Sequence, residues 1–335
     1  MAGMDAVPQE LLRKAYQRKP LYLLKVPLHF ALWGAATWVL YATQHHPMAI
    51  PIGIAIAYLI ANIVRGLGAV AHDAVHGNMA RSKRWSYLIA LVCWAPSGMS
   101  VTLYQNYHLH HHRITNTYPD VDNFVVTDYT RNPALAKALL LAVYSFGYPI
   151  YFATQMARYV RRLSSWQLLR MNLELLGWWS LMAACFLVMP LQVFVFFYAV
   201  PFLFGAVLAS TTSMIEHYEM LPGDDDAYSS RTYGTRMHVM NFLWNNVSFH
   251  NEHHKYPGIP FYNLRSFHEA AFPYYDEKVK AECYPGLLGI AFHLYGRILR
   301  LDVSKLDERY RDLNKDAERA RLMALNGIQP GDAPA

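Results

Sequence analysis

Charge is scarce in this sequence. Only 16% of its 335 residues are Asp, Glu, Lys or Arg, against about a quarter in a soluble domain. With 54% hydrophobic residues, the deficit excludes an ordinary water-facing surface and points to an integral membrane protein. Cysteine is scarcer still. Cys93, Cys185 and Cys283 form no CxxC pair, which excludes a disulfide framework, a zinc ribbon and an iron–sulfur cluster. The formal net charge is +6, but no basic stripe interleaved with exposed aromatics is present, so nucleic acid is not the expected partner. No small-residue cleavage pattern follows the first apolar run, which is expected to be a retained anchor.

Long apolar runs are abundant. They cover residues 26–43, 48–70, 173–189 and 192–213, each near the roughly 20 residues a helix needs to cross a bilayer. The linker Gln44-His-His-Pro47 and the turn around Pro190 carry no Lys or Arg. The amino terminus, residues 77–171 and the region after Glu216 are rich in them. The positive-inside rule then places both termini and the central region on the cytoplasmic side. Arg65, the one charge inside the second run, is expected to snorkel to the interface. Two further apolar stretches, 85–102 and 134–157, read better as short re-entrant or interfacial helices. The expected fold is therefore all-α and membrane-integral. Four transmembrane helices form two hairpins, with interfacial helices and a cytoplasmic helical cap carrying a two-metal site. The expected divisions are a cytoplasmic segment (1–21), a membrane domain (22–265), and a cap with a charged, flexible tail (266–335).

The feature that carries chemistry is histidine, sixteen in all. Three clusters stand out: His72-Asp-Ala-Val-His76, His108-Leu-His-His111-His112 and His250-Asn-Glu-His253-His254. On a helix, positions i, i+3 and i+4 share a face, so each cluster can aim several imidazoles at one point. Neutral imidazole suits iron, zinc, copper or nickel. Structural zinc closes with four ligands; eight histidines exceed that and suggest two ions. His110 falls at the wrong helical phase. His29, His45, His46, His268 and His293 read as ordinary histidines. A metal transporter is the non-enzyme alternative, but transport favours ionisable groups at mid-bilayer, whereas these clusters sit at helix ends.

The three boxes resemble those of the membrane fatty acid desaturase and hydroxylase superfamily. The resemblance covers roughly residues 22–265. The stretches Ile215-Glu-His-Tyr218, Tyr228-Ser-Ser-Arg-Thr-Tyr-Gly234 and Phe249-His-Asn-Glu-His-His254 are similar to the sphingolipid desaturase branch. The His-Asp-x-x-His-Gly form of the first box and Tyr118-Pro-Asp-Val-Asp122 are also similar to carotenoid ketolases. The resemblance implies a non-haem di-iron centre, molecular oxygen as co-substrate, and electrons from an external ferredoxin or cytochrome b5 type donor with its reductase. It implies His217 as a ninth ligand, with His238 a weaker candidate. Ligating histidines are usually oriented by hydrogen bonds to their far nitrogen; Asp73, Asp120, Asp122, Glu216 and Glu252 are candidates for this. Asn245, Asn246 and Asn251 are candidates to hydrogen-bond a metal-bound water. The expected activity is oxidation of a lipid or fatty acid chain, foremost desaturation. Hydroxylation or ketolation, and olefin-forming decarboxylation of a free fatty acid, are the alternatives on the same scaffold.

Overall fold

The computed structural model describes residues 4–116, 120, 122, 124–220 and 226–302. The expected tail, residues 316–335, lies outside them. Among the described residues there is no strand; Thr232 alone forms isolated bridges, to Phe249 and to Cys283.

A short helix α1 (Gln9–Ala15) precedes a hairpin of α2 (Lys25–Thr43) and α3 (Ala49–Val75). α3 runs five residues past the apolar run, which carries His72 out on its last turn and His76 just beyond. It is also the central helix, with Ile60, Ile63 and Leu67 fully buried against its neighbours. α4 (Lys83–Trp94) and α5 (Val101–Ile114) follow, bent by 99° to one another. Pro96 and Gly98 make the bend. Proline cannot continue the helix ladder, and Gly98 takes φ +73°, which favours glycine. Ser100 then caps α5, accepting from Leu103 N at 3.2 Å.

α6 (Pro133–Ala142) and α7 (Tyr148–Tyr159) are joined through a π turn at Val143–Gly147. Together they make one helical stretch, Pro133–Arg162, long and apolar enough to cross a membrane. A proline at position 149 would ordinarily break such a helix. The wide turn ahead of Pro149 takes up the missing N–H, so the helix continues.

α8 (Ser165–Val188) and a second interrupted helix, α9 (Leu191–Phe194) and α10 (Val200–His217), complete the apolar elements. Among the described residues, five helices qualify as spans by length and composition, or six if the bent pair counts as one. α8 contains a carboxylate, Glu174, whose partners explain it. It accepts from Tyr87 Oη at 2.7 Å, from Thr102 N at 3.0 Å and from Ser100 Oγ at 2.5 Å. Glu174 thereby ties the bent pair to α8.

The remaining helices are short: α11 (His238–Leu243), α12 (His250–Lys255), α13 (Phe261–Ala271), α14 (Glu277–Ala281) and α15 (Leu287–Leu299). α13 packs on α1 and on the end of α3 and runs unbroken across residue 265, so the expected division at that point falls inside a helix.

The α11 region docks on α3 at Gly66. A Cβ there would lie 2.0 Å from the Leu243 carbonyl oxygen and 2.6 Å from His29 Nε2. Asn245 Nδ2 donates to the Gly66 carbonyl at 2.8 Å in the same contact. Gly66→Ala must therefore force two backbones apart, at a cost of about 1–3 kcal/mol or more. The expected result is a sharp drop in folded, monodisperse protein after detergent extraction. A wild-type yield and melting temperature would contradict this close approach.

A candidate two-metal centre

Nine buried or half-buried imidazoles converge from α3, α5, α10 and α12. They divide into two groups. In the first, ligand nitrogens of His72, His76, His108, His112 and His253 all lie within 4.8 Å of one another. In the second, those of His111, His217 and His254 do so, and His250 Nε2 lies 3.1 Å from both His217 Nε2 and His254 Nε2.

The division follows from helical phase. On α5 the i, i+4 pair His108 and His112 faces the first group, and His111 between them faces the second. On α12 the assignment is reversed: His250 and His254 face the second group and His253 the first. Each HxxHH box therefore serves both groups. The stacked rings of His112 and His254, 4.4 Å apart, join them.

Several nitrogens approach closely: His76 and His108 Nε2 at 2.9 Å, His108 and His112 at 3.0 Å, His112 and His253 at 3.1 Å. Lone pairs packed this tightly need a shared cation or proton. A metal-bound imidazole nitrogen lies about 2.0–2.1 Å from the ion, so two at right angles are about 2.9 Å apart and two at a tetrahedral angle about 3.4 Å. The observed spacings match right angles, with more than four nitrogens in the first group. The first group thus offers five nitrogens, one more than a closed tetrahedral zinc site uses, and the second offers four, so the residues fit two transition-metal ions. Burial, followed by repulsion from neighbouring imidazoles, holds His250, His253 and His254 well below the ordinary 6.5. Their lone pairs are free at neutral pH.

Behind the nitrogens, some expected partners orient ligands. Asp120 Oδ1 is 2.9 Å from His111 Nδ1, and Asp122 Oδ2 is 3.5 Å from it. Asp122 Oδ1 accepts from Tyr107 Oη at 2.6 Å and also from Tyr148 Oη. His217 Nδ1 donates to the Ser229 carbonyl at 3.1 Å, which leaves Nε2 with the lone pair. Asp120→Asn keeps the shape but allows the wrong His111 tautomer. Loss of such a partner typically weakens metal binding 10–100-fold. A metal titration of the purified variant should show that loss in one of two sites; unchanged affinity in both would remove Asp120 from this role.

Other expected residues are brought near but held by other groups. Asp73 accepts from Asn78 Nδ2 at 2.7 Å and Phe261 N at 3.0 Å, fixing α3 to α13. Asn246 Nδ2 donates to the Phe261 carbonyl at 3.1 Å. Asn245 and Asn246 both take positive φ in the turn before the third box, a conformation asparagine tolerates. Glu216 accepts from Tyr233 Oη at 2.7 Å, and its Oε2 lies 3.9 Å from His250 Nε2. His238 is exposed at the start of α11, and His110 turns toward the Tyr159 ring.

Sequence reasoning missed two residues. His268, which reads as ordinary in the sequence, pairs through Nδ1 with Glu252. Thr232 and Tyr275 also donate to Glu252. Burial opposes the Glu252 charge, but attraction to His268 and the hydrogen bonds outweigh it, so the carboxyl sits below its ordinary range. Glu252, His268 and Cys283 lie close enough to hold an ion, yet both carboxylate oxygens already have protein partners, so the set reads as a structural clasp. Arg65, expected at the interface, instead turns inward. Its Nη2 donates to Tyr233 Oη at 3.1 Å and lies 3.6 Å from Glu216 Oε1, with the guanidinium over the Trp244 ring.

The histidines form the floor of a cavity of about 440 Å³. His72, His108, His111, His217 and His250 line that end, and Trp179, Tyr198 and Phe202 the other.

A family model described as Fatty acid desaturase matches residues 45–284, well over half of the chain and all three boxes. The chain belongs to the fatty acid desaturase family. Among the chain's curated relatives, a sphingolipid delta(4)-desaturase of Pongo abelii is 26% identical over 220 residues, covering 63% of this chain and 62% of that protein. A sphingolipid delta(4)-desaturase/C4-monooxygenase of Homo sapiens is 29% identical over 220 residues, covering 62% and 60%. The match thus spans about three fifths of the relatives' length. It agrees with the similarity to the sphingolipid branch noted in the third box.

Proposed function

We propose that the protein is a membrane-bound, oxygen-dependent, non-haem di-iron oxidase of a lipid acyl chain, and most specifically a desaturase. The observation that carries this reading is the sorting of nine histidines into two groups at the floor of an apolar cavity. His72, His76, His108, His112 and His253 would hold one iron, and His111, His217, His250 and His254 the other. Two irons there would supply activation of molecular oxygen for removal of hydrogen from an unactivated C–H bond.

The chain's own residues supply position and exclusion. Asp120 and the Ser229 carbonyl keep His111 and His217 protonated at Nδ1. Trp94, Tyr104 and Phe152 wall the cavity and keep water from the floor. Which carbons lie nearest the histidines decides between loss of two neighbouring hydrogens and insertion of oxygen. A relative whose name covers both desaturase and monooxygenase supports hydroxylation as the second reading. Decarboxylation of a free fatty acid to a terminal alkene is a third outcome of the same hydrogen removal.

Parity supports four crossings. His76, His111 and His217 sit together, so an even number of crossings separates each pair. The bent pair begins and ends beside the site and adds none. α8 and α9–α10 make two, which leaves α6–α7 lying along the interface. Contacts agree: Tyr148 N donates to Ser210 Oγ at 3.2 Å, and Tyr144 packs on Tyr218, both near the metal end of α10. The positive loops then put the termini and the site on the cytoplasmic side, where a ferredoxin or cytochrome b5 type donor would dock. The division at residue 21 stands as part of this reading, and the one expected at 265 is redrawn ahead of α13 (Phe261–Ala271).

The test is iron analysis of purified protein, followed by incubation with oxygen, donor, reductase and lipid. About two irons per chain are expected, and product lighter by two mass units. A gain of sixteen units marks the hydroxylase, and a volatile alkene one carbon shorter the decarboxylase. Zinc alone, with metal uptake into vesicles, would favour a transporter.

A further inference from the structure

The cavity is polar where it is closed and apolar where it opens. At the mouth, Trp179 and Phe202 are 49% and 48% exposed, on helices long and apolar enough to span a membrane. At the floor, beside the histidines, lie Arg65, Glu216, Thr212 and Ser213. Behind Arg65 the wall is Trp244 and Tyr233, 1% and 0% exposed, so nothing large can extend past this end.

Arg65 is the only Lys or Arg lining the cavity among the described residues. A guanidinium facing a membrane cavity is costly to place and marks function by default. Its pairing is incomplete: the 3.6 Å approach to Glu216 is one-pronged, and its buried Nε has no hydrogen-bond partner. Glu216 Oε2 in turn lies 3.9 Å from His250 Nε2. The pair therefore offers donors and an acceptor within a few ångströms of the second histidine group. Pockets of roughly 300–1,000 Å³ orient an apolar ligand by just such a small set of polar groups.

We propose that Arg65 and Glu216 form a head-group subsite for a single-chain lipid with a compact oxygen-bearing head. The lipid enters from the bilayer head first, and its tail trails toward Trp179 and Phe202. A carboxylate would bind chiefly through Arg65, and a hydroxyl or amide through both residues. The reverse orientation would strand the polar head among aromatic side chains and leave the floor's polar groups facing hydrocarbon, which costs free energy at both ends. The carbons beside His217 and His250 are then those next to the head, not those at mid-chain. Bulky heads, such as a coenzyme A thioester or a phospholipid, do not fit the closed end. This inference rests on the histidine groups being the oxidation site.

Anaerobic binding to the purified protein, with no electron donor present, tests it apart from turnover. Dodecanoate and dodecanol serve as probes, each also brominated at its terminal carbon to quench nearby tryptophan. The terminally brominated probes should quench Trp179, an effect lost in Trp179→Phe. Arg65→Gln should weaken dodecanoate binding roughly tenfold, the scale of a lost hydrogen bond to a charged group, and Arg65→Lys should restore part of it. Tighter binding of the acid than of the alcohol assigns the head to Arg65; the reverse assigns it to Glu216.

Should Arg65→Gln fail to fold, Gly205→Leu carries the test. Gly205 lines the cavity, and a Cβ added there would meet no atom within 4 Å. Its leucine variant should reject dodecanoate and keep a shorter acid. Terminal-bromine quenching that survives Trp179→Phe but is lost in Trp244→Phe would overturn the orientation, as would preference for dodecanoyl coenzyme A. In the loaded enzyme, mid-chain oxidation defeats this inference and leaves the proposed function standing. Head-first binding without any oxidation does the opposite.

Discussion

His108→Ala is expected to abolish lipid oxidation while leaving the protein folded in the membrane. His108 is the middle of the first group: its Nε2 lies 2.9 Å from that of His76 and 3.0 Å from that of His112. Its removal leaves those two nitrogens without their common neighbour and would open an ion held there to water. Loss of an outer partner alone costs 10–100-fold in metal affinity or activity, so loss of this ligand should cost at least a hundredfold. The ring itself stacks on Tyr104 at 5.2 Å, while α5 is held at other points by its Ser100 cap, by Thr102 N to Glu174 and by Tyr107 to Asp122. Detergent-extracted variant should therefore elute as the wild type does, with about one iron fewer per chain and no product by mass spectrometry. Wild-type turnover would refute the assignment of the first group.

Glu252→Leu has the second largest expected effect, and it falls on the fold. Glu252 and His268 are both buried, and Thr232 and Tyr275 complete the carboxylate's partners. Substitution leaves His268 and Tyr275 buried without that acceptor. Breaking a buried pair in this way costs about 3–5 kcal/mol, a large share of a domain's roughly 5–15 kcal/mol. Because Glu252 lies inside the third box, the loss should reach the second metal as well. A melting temperature lower by roughly 10 °C and a loosened second site are the expected measurements. Retention of both the melting temperature and two-site binding would show that the clasp is dispensable.

Much of the candidate site could be read from residue spacing, because a helix converts spacing into direction. The three boxes were found that way, while Asp120 was one of five carboxylates named only for lying within or beside them, and His217 came from the resemblance. Their division into two groups was not legible. It turns on the phase difference between i+3 and i+4 on α5 and α12, and on which way two separate helices face. The partners of Arg65 and Glu252 were hidden for another reason: Tyr233 lies 168 residues from Arg65, and local pattern says nothing of such contacts. Asp73 shows the converse error. Its place inside the first box suggested a histidine partner, but the Phe261 backbone takes its second oxygen. In the fold, composition revealed the long apolar helices α2, α3, α8 and α10 and the stretch at 85–102, which bends at Pro96 and Gly98. It did not reveal that the π turn at Val143–Gly147 lets a helix pass Pro149.

The mouth between Trp179 and Phe202 has a consequence for how such an enzyme is measured. A site filled sideways from the bilayer responds to the mole fraction of substrate among the surrounding lipids, not to its amount per volume of buffer. Diluting the assay with water would leave the rate per protein unchanged, whereas diluting it with inert lipid or detergent would slow it. Saturation is then a property of the membrane's composition, and so is any competition between substrates.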